Sequence, residues 1–360
     1  MKITFFIGGL GKGGAERVVC NLSNYLVSCG HEIDIMTIGD DDNYGLDNRI
    51  KRYKLIQNHE RKNVLIDCIR RLTRLLRYLK NKRDVFIVML PFTTILLLKL
   101  RFLVKGKIIA SERAFPSYYS KRQQSQLRKL SHRADAWIFQ TKASRSWYGH
   151  SIGKAKSIII ANPINENFVK DYQVQIRRKI IVTAGRLTEV KNHALLIEAF
   201  SKIANEFIDY KLIIYGEGSL RHSLETEAHE LGIGNRVSFP GFAEWGKESY
   251  DASLFVLSSN LEGMPNSLME AMALGIPCIS TDCEGGGAAF LIENEINGLL
   301  VPVNDVNALA DAMRRMLNDH VFAEKCGKNA HDICYRLAPE RIYGEWESFI
   351  KEVCYKKEMI

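Results

Sequence analysis

The chain has 360 residues, 46% of them hydrophobic, which suits two packed cores better than one, and a formal net charge of +9. Its eight cysteines form no Cys-x-x-Cys pair and no Cys/His cluster at zinc spacing, which excludes a zinc-stapled fold and reads as reduced, mostly buried thiols of a cytoplasmic protein. The charge is uneven: residues 1–165 carry 30 Lys and Arg against 12 Asp and Glu, and residues 166–360 carry 20 against 29, so the first half favours an anionic partner, nucleic acid or an acidic membrane surface.

Residues 2–7 predict a short buried strand, an apolar run too short for a signal peptide. A glycine-rich loop, 8–14, leads into an amphipathic helix ending near Cys29, and a second strand spans 32–38. This strand, loop, helix, strand order favours a parallel α/β sheet. Residues 61–83 predict a helix with Leu65, Cys68, Ile69, Leu72, Leu75, Leu76 and Leu79 on one face and Arg70, Arg71, Arg74, Arg77 and Lys80 mostly elsewhere. That pattern is either a packed helix with a solvated basic face or an attachment to acidic lipid. The most apolar stretch, 85–98, is broken by Pro91 and is too short to span a bilayer, so it reads as a core strand plus a helix. Strands follow at 107–111, 136–140 and 157–161.

The first domain is placed at 1–164 and a polar linker at 165–178. A second α/β series covers 179–336, with strands at 179–184, 210–215, 236–239, 254–257, 277–281 and 299–301. Helices are expected at 192–205, 219–231, 305–318 and 321–335, and Pro339 can start a last helix within 337–360.

Three loops of the second series follow strands and carry chemistry. Arg186 and Lys191 stand after the strand ending at Ala184, where a guanidinium fork and an ammonium point charge can share one diphosphate. Gly216, Glu217 and Gly218 end the next strand. Glu262 and Glu270 flank a Gly- and Pro-bearing turn that becomes a helix, whose first amides suit a phosphate. All three loops fall at the carboxyl edge of one sheet, where open α/β sheets bind ligands. The 8–14 loop fits a phosphate as well, but lacks both the P-loop ending and the acidic residue of a dinucleotide fingerprint.

Gly-Gly-Ala-Glu at 13–16, Gly-Arg-Leu with Lys191 at 185–191, Tyr-Gly-Glu-Gly at 215–218, Val-Ser-Phe-Pro-Gly-Phe at 237–242, the Glu-x7-Glu of Glu262 and Glu270, and Asn-Gly-Leu-Leu-Val at 297–301 occur in this order. Together they resemble the retaining GT-B glycosyltransferases of family four, bacterial enzymes that build surface polysaccharides. The resemblance implies an α/β fold of GT-B type, two Rossmann-like domains facing across a cleft, with the last helix crossing back to the first domain. It implies that Arg186 and Lys191 hold the donor diphosphate, that Glu262 faces the donor sugar, and that Glu270 binds the ribose. Met264, Asn266 and Ser267 then touch sugar and phosphate, Phe242 lies by the uracil, Glu217 belongs to the donor side, and Gly13 and Gly14 approach the diphosphate from the first domain.

The family implies a UDP-sugar donor (hexose or N-acetylhexosamine), a polyprenyl-diphosphate-linked glycan as acceptor, no metal and no cofactor. It implies retention of anomeric configuration, usually by a front-face route in which the departing phosphate helps deprotonate the acceptor. The expected destination is O-antigen, capsule or a related glycan, and the basic first domain is expected to hold a cytoplasmic protein at the inner face of the cell membrane. Two positions depart from the family pattern. Where many members carry a His after the strand at 107–111, this chain has Ser111-Glu112-Arg113, so Glu112 and Arg113 are the acceptor-side candidates. Phe290 stands where many members have a Glu. A second basic set, Arg113, Lys121, Arg122, Arg128, Lys129 and Arg133 with Tyr118 and Tyr119, is either a solvated helix or a port for a lipid diphosphate. The competing readings are the same fold with a soluble acceptor and, more remotely, a nucleic-acid-binding protein, for which no recognition motif is present.

Overall fold

The structure is a computed structural model that describes residues 1–11, 13–39, 41, 45–60, 63–169 and 176–355. The chain divides into two compact units, Met1–Pro163 with Glu340–Ile360, and Ile164–Pro339.

The first unit contains β1 (Lys2–Ile7), α1 (Gly14–Ser28), β2 (Glu32–Thr37), β3 (Lys51–Lys54), α2 (Val64–Leu79), β4 (Val85–Met89), α3 (Pro91–Lys99), β5 (Lys107–Ser111), α4 (Lys121–Leu130), β6 (Ala136–Phe139), α5 (Lys142–Tyr148) and β7 (Lys156–Ile159). Its seven strands run parallel in the order β3-β2-β1-β4-β5-β6-β7. β4, Val-Phe-Ile-Val-Met, is buried throughout, the continuous apolar run expected of a central parallel strand covered on both faces. β3, Lys-Arg-Tyr-Lys, has no apolar run and escaped the sequence reading; as the edge strand it is paired on one side and alternates between exposed and half-buried.

α2 corrects the expectation of a packed helix. Of its apolar face only Leu75 and Leu79 are buried, with Tyr78, whereas Leu65, Ile69 and Leu72 are exposed and so are Val64 and Ile66. Two of its arginines brace the preceding turn, Arg74 pairing with Glu60 at 2.6 Å and Arg70 donating to the Glu60 carbonyl, while Arg77 and Lys80 are exposed. The first turns of α2 thus present their apolar stripe to solvent. The start expected at residues 61–62 lies outside the described residues.

The second unit contains β8 (Arg178–Ala184), α6 (His193–Ile203), β9 (Lys211–Tyr215), α7 (Arg221–Glu230), β10 (Val237–Gly241), α8 (Trp245–Glu248), β11 (Ala252–Leu257), α9 (Asn266–Ala273), β12 (Cys278–Thr281), α10 (Gly287–Leu291), β13 (Leu299–Val301), α11 (Val306–Asn318), α12 (His320–Ala330) and α13 (Ile333–Arg336). The six strands run parallel in the order β10-β9-β8-β11-β12-β13, so the order reverses between β8 and β11. Ligands of open α/β sheets sit at such a switch point, beyond the carboxyl ends of the two strands.

Two sequence expectations shift here. The helix expected at 321–335 stops at Ala330 and a separate turn, α13, follows. The expected linker holds packed structure: Glu166–Phe168 is a 3-10 turn whose Phe168 ring lies 5.7 Å from that of Trp245, and β8 already begins at Arg178. Residues 170–175 of that linker lie outside the described residues. The final helix, α14 (Pro339–Tyr355), has Pro339 at its start. Within the first unit its Trp346 is fully buried, Tyr343 packs on Tyr25 at 5.4 Å, and Glu347 meets His31 Nε2 at 2.9 Å.

Candidate functional site

The loop after β8 supplies the first cations. Gly216, at φ +135°, leaves no space for a side chain, since an added Cβ would fall 1.9 Å from the Gly185 carbonyl oxygen. Glycine there lets the ends of β8 and β9 close on each other, with Gly185 N donating to Tyr215 O and Leu187 N to Glu217 O. Arg186 emerges from this knot exposed and makes no ion pair among the described residues.

Lys191 is laced to the loop after β11. Asn260 N donates to Val190 O at 2.8 Å and Ser258 Oγ to Lys191 O at 3.1 Å. Asn192, which caps α6 from a left-handed conformation that Asn tolerates, donates to the side chains of Asn260 and Asn304 at 3.0 Å. Across this seam Lys191 Nζ lies 2.5 Å from Glu262 Oε1, which also accepts from Ser259 Oγ at 2.7 Å. Glu262 is 9% exposed, so the pair is largely withdrawn from water and strengthened by it. Burial, with the Glu262 charge beside it, pushes the Cys283 thiol up to about 12 and keeps it protonated.

The turn after Glu262 delivers α9. Met264 is buried, Pro265 occupies the N-cap, and Asn266 and Ser267 open a helix whose first turn contains no acid. The positive end of this helix therefore faces the switch point. The turn is buttressed by α10, where a Cβ on Gly287 would fall 2.0 Å from the Gly263 carbonyl oxygen. Phe290, in the same short helix, is 37% exposed. One turn further along α9, Glu270 is 9% exposed and accepts from Trp245 Nε1 at 3.3 Å. Glu270, Trp245 and Phe168 line a cavity of about 400 Å³ in this unit. Phe242, just past β10, is 82% exposed, an aromatic face presented to solvent. Glu217 pairs with Arg221, which also donates to Phe239 O at 2.7 Å, so the pair ties the end of β9 to β10.

Sequence reasoning missed His193 and Trp245. His193 is 3% exposed and faces the backbone of Gly185 and Arg186 without a hydrogen bond of full geometry. Burial first, and then the Lys191 charge, push its pKa down to about 4, so it is a neutral support under the Arg186 loop. Neither residue stands in a motif, and only packing reveals them.

In the first unit Gly13 precedes α1 and Gly14 opens it; a Cβ on Gly13 would collide with the Glu16 carboxylate. Glu112 and Arg113, the acceptor-side candidates, turn inward. Glu112 accepts from Tyr119 Oη and, at 2.5 Å, from Tyr148 Oη, and burial raises its pKa. Arg113 donates to Asn162, lies 5.7 Å from the centre of the Trp346 ring, and is pushed down to about 10 by burial. The structure thus gives Glu112 a supporting place inside the unit in this conformation, while Arg113 keeps Nε and Nη1 without hydrogen-bond partners. Among the described residues no group of three or more His, Cys, Asp or Glu could hold a metal ion, and no helix is long and apolar enough to cross a membrane.

Two doubly wound parallel sheets, with two carboxylates, two cations and a helix start gathered at the switch point of the second, define a glycosyltransferase of GT-B fold. The chain belongs to the glycosyltransferases of family four: the model described as Glycosyltransferase Family 4 matches residues 12–168 and that described as Glycosyl transferases group 1 matches residues 165–332. A curated relative from Campylobacter jejuni is 29% identical over 98% of this chain and 99% of its own; it is GalNAc-alpha-(1->4)-GalNAc-alpha-(1->3)-diNAcBac-PP-undecaprenol alpha-1,4-N-acetyl-D-galactosaminyltransferase. Among solved structures, sucrose-phosphate synthase from Thermosynechococcus elongatus shares the fold with a TM-score of 0.82 at 20% identity, covering 98% of both chains. HepE from Anabaena, in complex with UDP-glucose, gives 0.82 at 18% identity over 98% of this chain and 100% of its own.

Proposed function

We propose that the protein is a retaining glycosyltransferase that moves a hexose or N-acetylhexosamine from UDP to a polyprenyl-diphosphate-linked glycan, in O-antigen, capsule or related polysaccharide synthesis. The observation that carries the donor half is the gathering of Arg186, the Lys191–Glu262 pair and the start of α9 at one switch point. Arg186, Lys191 and the α9 amides neutralise the diphosphate as the bond between its oxygen and the anomeric carbon breaks, so no metal is needed for that charge. Glu262 meets the sugar hydroxyls and Glu270 the ribose, with the exposed Phe242 ring available to the uracil. The acceptor hydroxyl bonds to the same face of the sugar, and its proton passes to the departing phosphate. Gly13 and Gly14, at a strand-to-helix turn of the first unit, suit a phosphate in the same way.

The acceptor class is supported by the name of the Campylobacter relative, which specifies an undecaprenol diphosphate, and by α4. That helix carries Lys121 and Arg122 in its first turn beside the exposed Tyr118. Cations at a helix start are disfavoured by the helix dipole, so their presence there points to an anion they serve. Attachment to the inner face of the membrane is supported by α2, whose exposed Leu65, Ile69 and Leu72 can enter the acyl boundary while the unit's surplus of Lys and Arg meets acidic headgroups.

The reading is tested by incubating the purified protein with a panel of UDP-sugars and polyprenyl-diphosphate glycans and following both UDP release and labelled product. Transfer from one donor, abolished in Glu262→Ala, is expected. No transfer from any common UDP-sugar, with the variant and the wild type equally inert, overturns it.

A further inference from the structure

Trp245 is the residue around Glu270 that the family motifs leave without a task. It opens the short helix α8, is 7% exposed, and points its indole N–H at Glu270 Oε2, 3.3 Å away. The indole is itself fixed between two other rings, Phe168 at 5.7 Å and the β11 residue Phe255 at 5.5 Å. Phe168 reaches it only because residue 246 is glycine, where a Cβ would fall 2.1 Å from the Phe168 ring. Trp245, Phe168 and Glu270 all face the cavity of about 400 Å³. The carboxylate thus meets that cavity with its orientation set by a donor that cannot swing away.

We infer that Trp245 is a positioning residue that fixes the Glu270 carboxylate for a ribonucleotide's ribose hydroxyls and so sets the preference for a ribose donor. This rests on the assignment of Glu270 to the ribose made above. An ionised carboxylate accepting from two vicinal hydroxyls must offer its lone pairs in one plane. Glu270 is buried on α9, but a carboxylate can still turn about its last side-chain bond, and without a fixed donor each binding event would have to select one orientation. The indole N–H makes that selection before the nucleotide arrives. It acts through Glu270, so its effect disappears when Glu270 is absent, which is not true of a residue that merely fills space.

The test uses the whole protein and compares affinities for UDP and 2′,3′-dideoxy-UDP by titration calorimetry in wild type, Trp245→Phe, Glu270→Ala and the double variant. Trp245→Phe keeps the ring and removes the N–H, and it is expected to cut the preference for UDP by ~10-fold, the scale of one hydrogen bond to a charged group. Glu270→Ala is expected to erase the preference, and the double variant to equal Glu270→Ala alone. Phe168→Leu, which loosens the indole without removing its N–H, is expected to give the same loss in smaller measure, and it carries the test if Trp245→Phe fails to fold. If Glu270→Ala keeps the full preference, the ribose assignment falls and the inference with it. If Glu270→Ala erases the preference while Trp245→Phe and Phe168→Leu leave it unchanged, or weaken both nucleotides equally, the ribose assignment stands and the positioning role is overturned.

Discussion

Lys191 Nζ and Glu262 Oε1 stand 2.5 Å apart although they come from loops that follow different strands, β8 and β11. The contact sits where the strand order of the second sheet reverses, and it joins a cation assigned to the diphosphate to a carboxylate assigned to the sugar. Because both side chains are largely buried, removing one leaves the other charged and poorly solvated.

Lys191 and Arg186 should therefore separate in their effects. Lys191→Ala is expected to lose transfer and also about 3 kcal/mol of stability, from the stranded Glu262. Arg186→Ala is expected to reduce turnover about 100-fold or more with an unchanged melting temperature, since its side chain is exposed. UDP release and urea unfolding on the same preparations check this, and equal destabilisation by both substitutions contradicts it.

His193 makes the stability of the second unit depend on pH. Its pKa is about 4 in the folded protein against 6.5 for an ordinary histidine, so between those values the unfolded chain binds more protons than the native one. Stability therefore falls as pH drops from 6.5 towards 4 and levels off below, a contribution of about 3 kcal/mol across the window. In His193→Asn that slope should flatten. Unfolding curves collected at pH 7 and pH 4.5 decide the matter, and an equal slope in the variant removes His193 as its source.

The exposed stripe of α2 predicts a variant that loses membrane but not fold. Replacing Leu65, Ile69 and Leu72 by Glu should abolish flotation with acidic vesicles and leave the melting temperature within about 1–2 °C of wild type, because these side chains bury little within the unit. A fall in stability with flotation intact would falsify the role assigned to this face.

Gly216 is expected to tolerate no side chain. Ala there meets both a strained backbone conformation and the Gly185 carbonyl, and should cost about 2–4 kcal/mol while disturbing the Arg186 loop. Gly232, also at positive φ but in open space, is the control: Ala there should cost about 1–2 kcal/mol, from backbone strain alone. Chemical denaturation of the two variants side by side gives the comparison.

The local pattern was enough for most of the two series of strands and helices, for Pro339 as the start of α14, and for the position of Arg186, Lys191 and Glu262 in loops after strands and of Glu270 on the helix that follows, because a strand end, a glycine knot and a helix start are each written within a few residues. β3 was not legible, since an edge strand needs pairing on one side only and can be built from Lys, Arg and Tyr. The inward turn of Glu112 was equally hidden, because its partners Tyr119 and Tyr148 lie seven and 36 residues away.

The sequence by itself determined which groups carry the charge and which elements hold them. Tertiary structure alone decided which of those groups meet. It joined Lys191 to Glu262 through hydrogen bonds between the loops after β8 and β11, set Trp245 against Glu270 through ring packing, and left the apolar side chains of the first turns of α2 exposed while Arg74 pairs with Glu60. Periodicity fixes a face of a helix but not what that face meets, because burial depends on neighbours supplied by distant parts of the chain.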